Sequence, residues 1–259
     1  MATLTTQSGL LTMRSARTLM RQPAFLAISL VQPVIWLLLF GQLFKAVIDI
    51  PGFSHGVSYL EFIAPGVIIM TALFSSGWAG TVYIEDMSIG VMDRLLASPV
   101  RRGAMIIATI AYQAITTVIQ TLIVFGIAFA AGARFPGGIA GIAVTTLSAV
   151  LISMIIASFS NAIALLVRQQ EALIGISQFI VLPLQFLSGA VMDTKLSPGW
   201  VQHVARYNPV DWAVTASRQV LSGTPQWGAV LPRLAALVAL AAALGWLATR
   251  AFRTYQRSA

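Results

Sequence analysis

Long apolar runs alternate with short polar breaks along this chain, and the runs are of one characteristic length. A bilayer core of about 30 Å takes about 20 helical residues to cross. Six runs reach that length, at residues 24–47, 61–83, 103–131, 139–166, 172–191 and 229–250. The breaks between them are 49–59, the charged stretch 83–102, 132–138, a tight turn at 168–171, and a long polar segment at 192–228. The pattern predicts an all-α membrane protein with six transmembrane helices, forming a single transmembrane domain over residues 1–259.

Two further elements are predicted outside the spans. Before the first run, Arg14, Arg17 and Arg21 recur at i, i+3 and i+7, while Leu11, Leu19 and Met20 are apolar. This fits an interfacial helix at about 8–22 lying on anionic lipid; the alternative is a disordered basic tail. The segment 192–228 is too polar to span, because Arg206, Asp211 and Arg218 share it. Asn208-Pro209 nevertheless supplies an N-cap followed by proline at the first helical position. Trp212, Ala216 and Val220 continue as an apolar stripe, so short re-entrant outer helices are expected before the last span. Trp200, Trp212 and Trp227 would anchor them at the interface.

Charge then orients the chain. An even number of spans puts both termini on one side. Arg14, Arg17, Arg21, Arg94, Arg101, Arg102, Arg168, Arg250, Arg253 and Arg257 share that side. Lys45, Arg134, Lys195, Arg206, Arg218 and Arg233 share the other, so the termini and the 83–102 stretch are expected to be cytoplasmic. The net charge of +8 is therefore a topology signal, and nucleic acid is not an expected partner. With 9% charged residues, far below the roughly 25% of soluble domains, the chain has membrane lipid as its surroundings. Arginine outnumbers lysine fourteen to two and alanine is abundant, which fits a bacterial cytoplasmic (inner) membrane.

The candidate chemistry is sparse. There is no cysteine, and His55 and His203 stand alone, so no metal site is expected. Glu61 and Glu171 lie near span ends, and no acid falls at mid-membrane, where ion-coupled carriers need one. Amides do occur inside the runs: Gln32 beside Pro33, Gln113 and Gln120 on one side of the third span, Gln178 and Gln185 around Pro183. These are the candidate pathway residues, with interhelical hydrogen bonding as the competing role. Small residues at 137, 141, 145, 149, 153, 157 and 161, and again at Ala235, Ala239 and Ala243, form ridges expected to pack within one subunit.

No residue set here can hydrolyse ATP. A phosphate loop needs Gly-Lys before Ser or Thr, whereas Lys45 follows Phe44 and Lys195 follows Thr194. The chain is thus not expected to be an enzyme or to hold a cofactor. The charged stretch is predicted to carry a helix over 88–97, with Ile89, Met92 and Leu96 as its stripe, ended by Ser98-Pro99. Such a helix suits docking in a partner's groove; the competing role is to rest on lipid headgroups.

Here the sequence resembles a known family. Glu85, Asp86, Gly90, Asp93, Arg94, Leu95, Leu96, Ser98 and Pro99 follow the order seen in the first cytoplasmic loop of type-2 ABC exporter permeases. FLSGAVMDTKLSPGW at 186–200 and YNPVDWAVTASRQVL at 207–221 resemble the segment between that family's fifth and sixth spans. The nearest likeness is to permeases of the daunorubicin-exporter kind. The resemblance implies that 83–102 forms a coupling helix seated in a separate ABC ATPase, which binds the ATP and Mg. It also implies a second permease subunit, identical or different. The cargo would be an amphipathic drug, antibiotic or lipid-like compound. A polysaccharide or lipid-linked glycan on the same scaffold is the alternative, ahead of a non-ABC carrier or a membrane enzyme. The chain departs from the family's usual Glu-Arg-Gly-Thr in reading Met87-Ser88-Ile89-Gly90-Val91, so the polar residues that touch the ATPase are not fixed by the likeness.

Overall fold

The computed structural model describes residues 8–13, 17, 23–44, 58–92, 94 and 102–255. Among these residues every regular element is helical. After a helical piece at residues 8–13, they run in chain order as α1 (Pro23–Ile35), which continues through a π-helical turn at Trp36–Phe40 and a last turn at Gly41–Leu43, then α2 (Tyr59–Gly77) and α3 (Thr81–Ser88), with helix again at 91–92. There follow α4 (Arg102–Ala130), α5 (Gly138–Val167) and α6 (Gln170–Phe186). A 3-10 turn at Thr194–Leu196, α7 (Gly199–Ala205), α8 (Pro209–Leu221) and α9 (Trp227–Tyr255) complete them.

The six apolar runs fall on four long helices and two shorter ones. Tyr59–Ser88, Gly103–Ala130, Gly138–Val167 and Trp227–Ala251 are each long and apolar enough to cross a membrane. Ala27–Leu43 and α6 each have 17 residues, about 26 Å at 1.5 Å per residue, slightly less than the hydrocarbon core. α6 is short because Arg168, at φ 57, ends α5 in a left-handed turn at one side and Leu187 leaves helical geometry at the other.

α5 is the central element, packed against α2, α4, α8 and α9. Its ridge explains this. Gly141, Thr145, Ala149, Ser153, Ala157 and Asn161 are all buried, so neighbouring backbones approach closely along the whole helix. At the ridge's start the Gly137 amide donates to the Leu221 carbonyl at 2.9 Å, and a Cβ on Gly137 would lie 1.9 Å from the Val220 carbonyl oxygen. Gly137→Ala should therefore force α5 and α8 apart, at a cost of about 1–3 kcal/mol. A lowered midpoint in thermal unfolding of the purified protein checks it, and an unchanged one refutes it.

The second ridge behaves otherwise. Ala235, Ala239 and Ala243 are exposed, and α9 packs through Val230, Leu237, Ala241 and Ala248. The expectation that both ridges pack within the subunit is thus corrected for α9. In a helix that is apolar on every side, polarity gives no contrast between the packed face and the open one.

The segment after α6 also differs from expectation. Asn208 caps α8 as predicted, accepting from the Val210 amide at 2.9 Å. Its Nδ2 also donates to the carbonyls of Leu184 and Leu187, at 2.7 and 2.8 Å, so one side chain closes the start of α8 and the end of α6. Ala216 and Val220 are buried and packed with Val230 of α9, where the sequence placed their stripe against the interface. α8 is thus packed against α2, α5 and α9 rather than lying free on a surface. α2 starts in a capping box: Glu61 donates its amide to Ser58 Oγ at 3.3 Å, and the Ser58 amide donates to Glu61 Oε2 at 3.0 Å. Glu61 Oε1 accepts from the Arg134 amide at 2.8 Å and so ties the 132–138 connection to α2.

Candidate functional site

Helices α1, α2, α3, α4 and α6 surround a cavity of about 620 Å³. The predicted glutamines converge on it. Gln32 from α1, Gln113 and Gln120 from α4, and Gln178 from α6 line it together with Ser29, Thr71, Ser75, Thr109 and Thr116. Gln185 does not. It is buried outside the cavity, and its Oε1 has no hydrogen-bond partner among the described residues. None of the lining residues is charged.

The polar groups of this wall divide into used and unused. Thr71, Thr109 and Thr116 donate to the carbonyls of Val67, Met105 and Tyr112, one helical turn back. The Thr71 and Thr116 hydroxyls are thus committed to their own helices, whereas Thr109 Oγ1 also meets the Tyr83 hydroxyl of α3. Gln113 Nε2 donates to Ser75 Oγ at 3.1 Å, and Gln120 Nε2 donates to Ser29 Oγ at 3.0 Å, so each amide bridges two helices. The Oε1 of Gln120 and the Oγ1 of Thr117 beside it lack partners among the described residues. The interhelical role and the cavity-lining role are therefore filled by the same two side chains. Trp36, Phe74, Trp78 and Tyr112 supply flat apolar surface to the same cavity. The sequence reading missed them, although Trp36 lies one turn after Gln32 and Trp78 one turn after Ser75.

The charged stretch begins directly below this wall. α3 carries exposed Glu85 and half-buried Asp86, and ends at Ser88. Gly90 then takes φ 69, a left-handed geometry that glycine adopts without strain, and helix resumes at Val91 and Met92, with Arg94 also helical. The helix expected over 88–97 thus does not start at Ser88. The predicted stripe is split by this break: Ile89 is 64% exposed, whereas Met92 is fully buried against Tyr83, Met105, Ile106 and Leu165. Helical spacing cannot hold two residues on one face across a left-handed glycine. Asp93, Leu95, Leu96, Ser98 and Pro99 lie outside the described residues, as do Arg14 and Arg21 of the predicted interfacial helix. Residues 8–13 and Arg17 are helical, and Arg17 is exposed.

A second cavity, of about 1010 Å³, is lined by charge: Glu61, Arg134, Asp193, Lys195, Arg206, Asp211, Arg218 and Arg233. Arg218 is its structural centre. Nε donates to the Phe62 carbonyl at 3.1 Å and Nη2 to the Ala190 carbonyl at 3.1 Å, while the guanidinium lies 3.6 Å over the Phe62 ring. Burial pushes Arg218 down to about 10, against the pull of Asp193, Asp211 and Tyr59, so the group remains cationic at neutral pH. Asp211 accepts from the Gly189 amide at 2.8 Å; burial raises its carboxyl, against that bond and the charges of Arg218 and Arg233.

Residues 6–222 match the family described as "ABC-2 type transporter". The chain is 28% identical over 216 residues to the daunorubicin resistance ABC transporter permease protein DrrB1 of Streptomyces coeruleorubidus, covering 82% of this chain and 75% of that one. It is 29% identical over 206 residues to the putative transport permease ycf38 of Cyanophora paradoxa, covering 79% and 70%. It is 25% identical over 212 residues to the probable multidrug ABC transporter permease YbhR of Escherichia coli, covering 78% and 54%. A family match over most of its length, on a frame of long apolar helices, makes this chain a member of the ABC-2 type transporter family and a multi-pass membrane permease.

Proposed function

We propose that this chain is the transmembrane subunit of an ATP-driven exporter that moves an uncharged or weakly charged amphipathic compound. The observation that carries the reading is the cavity at Gln32, Gln113, Gln120 and Gln178, uncharged and partly aromatic, with α3 leading from its wall into the charged stretch. Cavities of roughly 300–1,000 Å³ enclose one drug-sized molecule. This favours a small amphiphile over a polysaccharide, in keeping with relatives named for resistance to daunorubicin and doxorubicin.

In this reading six spans cross a bacterial inner membrane, with Ala27–Leu43 and α6 as the two short ones and both termini cytoplasmic. Residues 83–102 dock a separate ABC ATPase, which binds ATP and Mg. Two permease subunits, identical or different, complete the pathway. The chain itself performs no chemistry and contributes binding and gating. Lining amides fix the cargo's polar edge: Gln32 is exposed and Gln178 half-buried, whereas Gln113 and Gln120 are buried and bonded to Ser75 and Ser29.

Gln32→Leu should raise the KM for daunorubicin uptake into inverted vesicles about two- to tenfold, the worth of one neutral hydrogen bond. ATPase stimulation should persist without drug. An unchanged KM in a Gln32→Leu, Gln178→Leu double variant would remove the cavity from the pathway.

A further inference from the structure

α2 and α3 lie on one apolar run, yet they are two helices. In an unbroken helix the Gly80 amide would donate to the Ser76 carbonyl, and the Thr81 amide to the Gly77 carbonyl. Instead Ala79 donates to the Ser76 carbonyl at 3.1 Å and Thr81 to the Trp78 carbonyl at 3.0 Å. The Gly80 amide and the Gly77 carbonyl are thereby freed. One hydroxyl from α5 meets both: Ser160 Oγ accepts from the Gly80 amide at 3.0 Å and donates to the Gly77 carbonyl at 2.7 Å. A side chain inserted into the ladder is an established cause of helix kinks. Within a bilayer the freed groups need such a partner, because no water reaches them. Gly80 permits the approach, since a Cβ there would lie 2.4 Å from the Ser160 carbonyl oxygen.

The core changes at this point, and the cavity wall spans it. The apolar core divides: α2 from Tyr59 to Leu73 belongs to one cluster, whereas Tyr83 and Met92 belong to another, with Met105, Ile106, Leu165 and Ala248. Tyr83 fixes α3 within this second cluster by a 2.7 Å hydrogen bond between its hydroxyl and Thr109 Oγ1. The cavity wall also crosses the break, for Trp78, Ala79, Thr81 and Val82 all line the cavity.

We infer that Trp78–Gly80 is a joint on which α3 swings against α2, with Ser160 Oγ as its pivot, so that displacement of the 83–102 loop moves one wall of the cavity. A hydroxyl suits this position. It can rotate while keeping one donated and one accepted bond, so the angle changes without stranding a backbone group in lipid. The role of Ser160 is positional, since it does not line the cavity. The inference rests on the reading that this loop docks an ATPase.

The absence of cysteine allows clean spin-label pairs. Labels at Ser88→Cys and Leu166→Cys, both exposed positions, report α3 against α5. Labels at Leu122→Cys and Ile139→Cys, also exposed, report two helices away from the joint. In the permease–ATPase complex, vanadate trapping should shift the first distance and leave the second unchanged. Ser160→Ala should reduce that shift to less than half, and Ser160→Thr, which keeps the hydroxyl, should restore it. A complex that hydrolyses ATP without moving the first pair overturns the joint, as does a full shift in Ser160→Ala. The wild-type measurement decides the matter even where Ser160→Ala fails to accumulate. A permease that neither binds nor stimulates the ATPase overturns the docking reading instead, a separate and recognisable failure.

Discussion

Arg218→Met is expected to lower the unfolding midpoint of the purified permease by roughly 10 °C, from a loss of about 3–5 kcal/mol. Methionine matches much of the arginine stem in length and apolar character, so the loss isolates the guanidinium. That group joins three parts of the chain. It holds the Phe62 carbonyl of α2 and the Ala190 carbonyl after α6, and it opposes the charge of Asp211 within α8. Removing it takes the guanidinium donor from two carbonyls and one of two opposing positive charges from the half-buried Asp211 carboxylate. The junction has little room to relax, because a Cβ on Gly66 would already lie 1.9 Å from the same Ala190 oxygen. Arg218→Lys should not rescue it, since one ammonium cannot reproduce a fork that reaches two carbonyls and lies flat on the Phe62 ring. Differential scanning fluorimetry of the three proteins in one detergent measures this. A shift within about 2 °C for Arg218→Met would mean that the charge contributes nothing net, as replaced buried ion pairs sometimes do.

Arg218 also illustrates what the sequence could and could not convey. Four of the five glutamines reached the cavity because an amide in an apolar run is conspicuous: lipid cannot satisfy it, so it must face protein or water. Asn208 as a cap was legible for a similar reason, since Asn-Pro restricts the backbone locally. The partners of Arg218 are backbone carbonyls 156 and 28 residues away, and a carbonyl carries no sequence signature. Ser160 was hidden in another way. Beside a ridge of small residues it reads as packing, and only the geometry of α2 reveals a hydroxyl substituting for a lost helical bond. The long apolar runs marked where helices lie. Yet α9 (Trp227–Tyr255) extends past both ends of its run, the run at 61–83 breaks between α2 and α3, and the packed side of α9 was not legible. Apolar pattern locates spans, but in lipid it does not orient them.

Ile89 and Met92 lie three residues apart and looked equivalent in sequence, yet charged substitutions at the two positions should have opposite signatures. Met92→Asp should cost roughly 3 kcal/mol or more, because it places an unpaired carboxylate among Tyr83, Met105 and Ile106. The protein should accumulate poorly and melt early, and its loss of transport would say nothing about docking. Ile89→Asp should leave the unfolding midpoint within about 2 °C of wild type, because an exposed position lacks the core contacts that make substitutions costly. If the 83–102 stretch docks an ATPase, the same substitution should cut permease-stimulated hydrolysis at least tenfold, since a charge facing an apolar groove costs about 1.4 kcal/mol or more. Measuring the melting midpoint and the stimulated ATPase on both variants separates folding from coupling. Normal stimulation with Ile89→Asp would place the ATPase contact away from this turn, with Glu85 and Arg94 as the exposed positions flanking it. Early melting with Ile89→Asp would mean that Ile89 belongs to the core after all, and that Gly90 does not divide the stretch into an outward and an inward half.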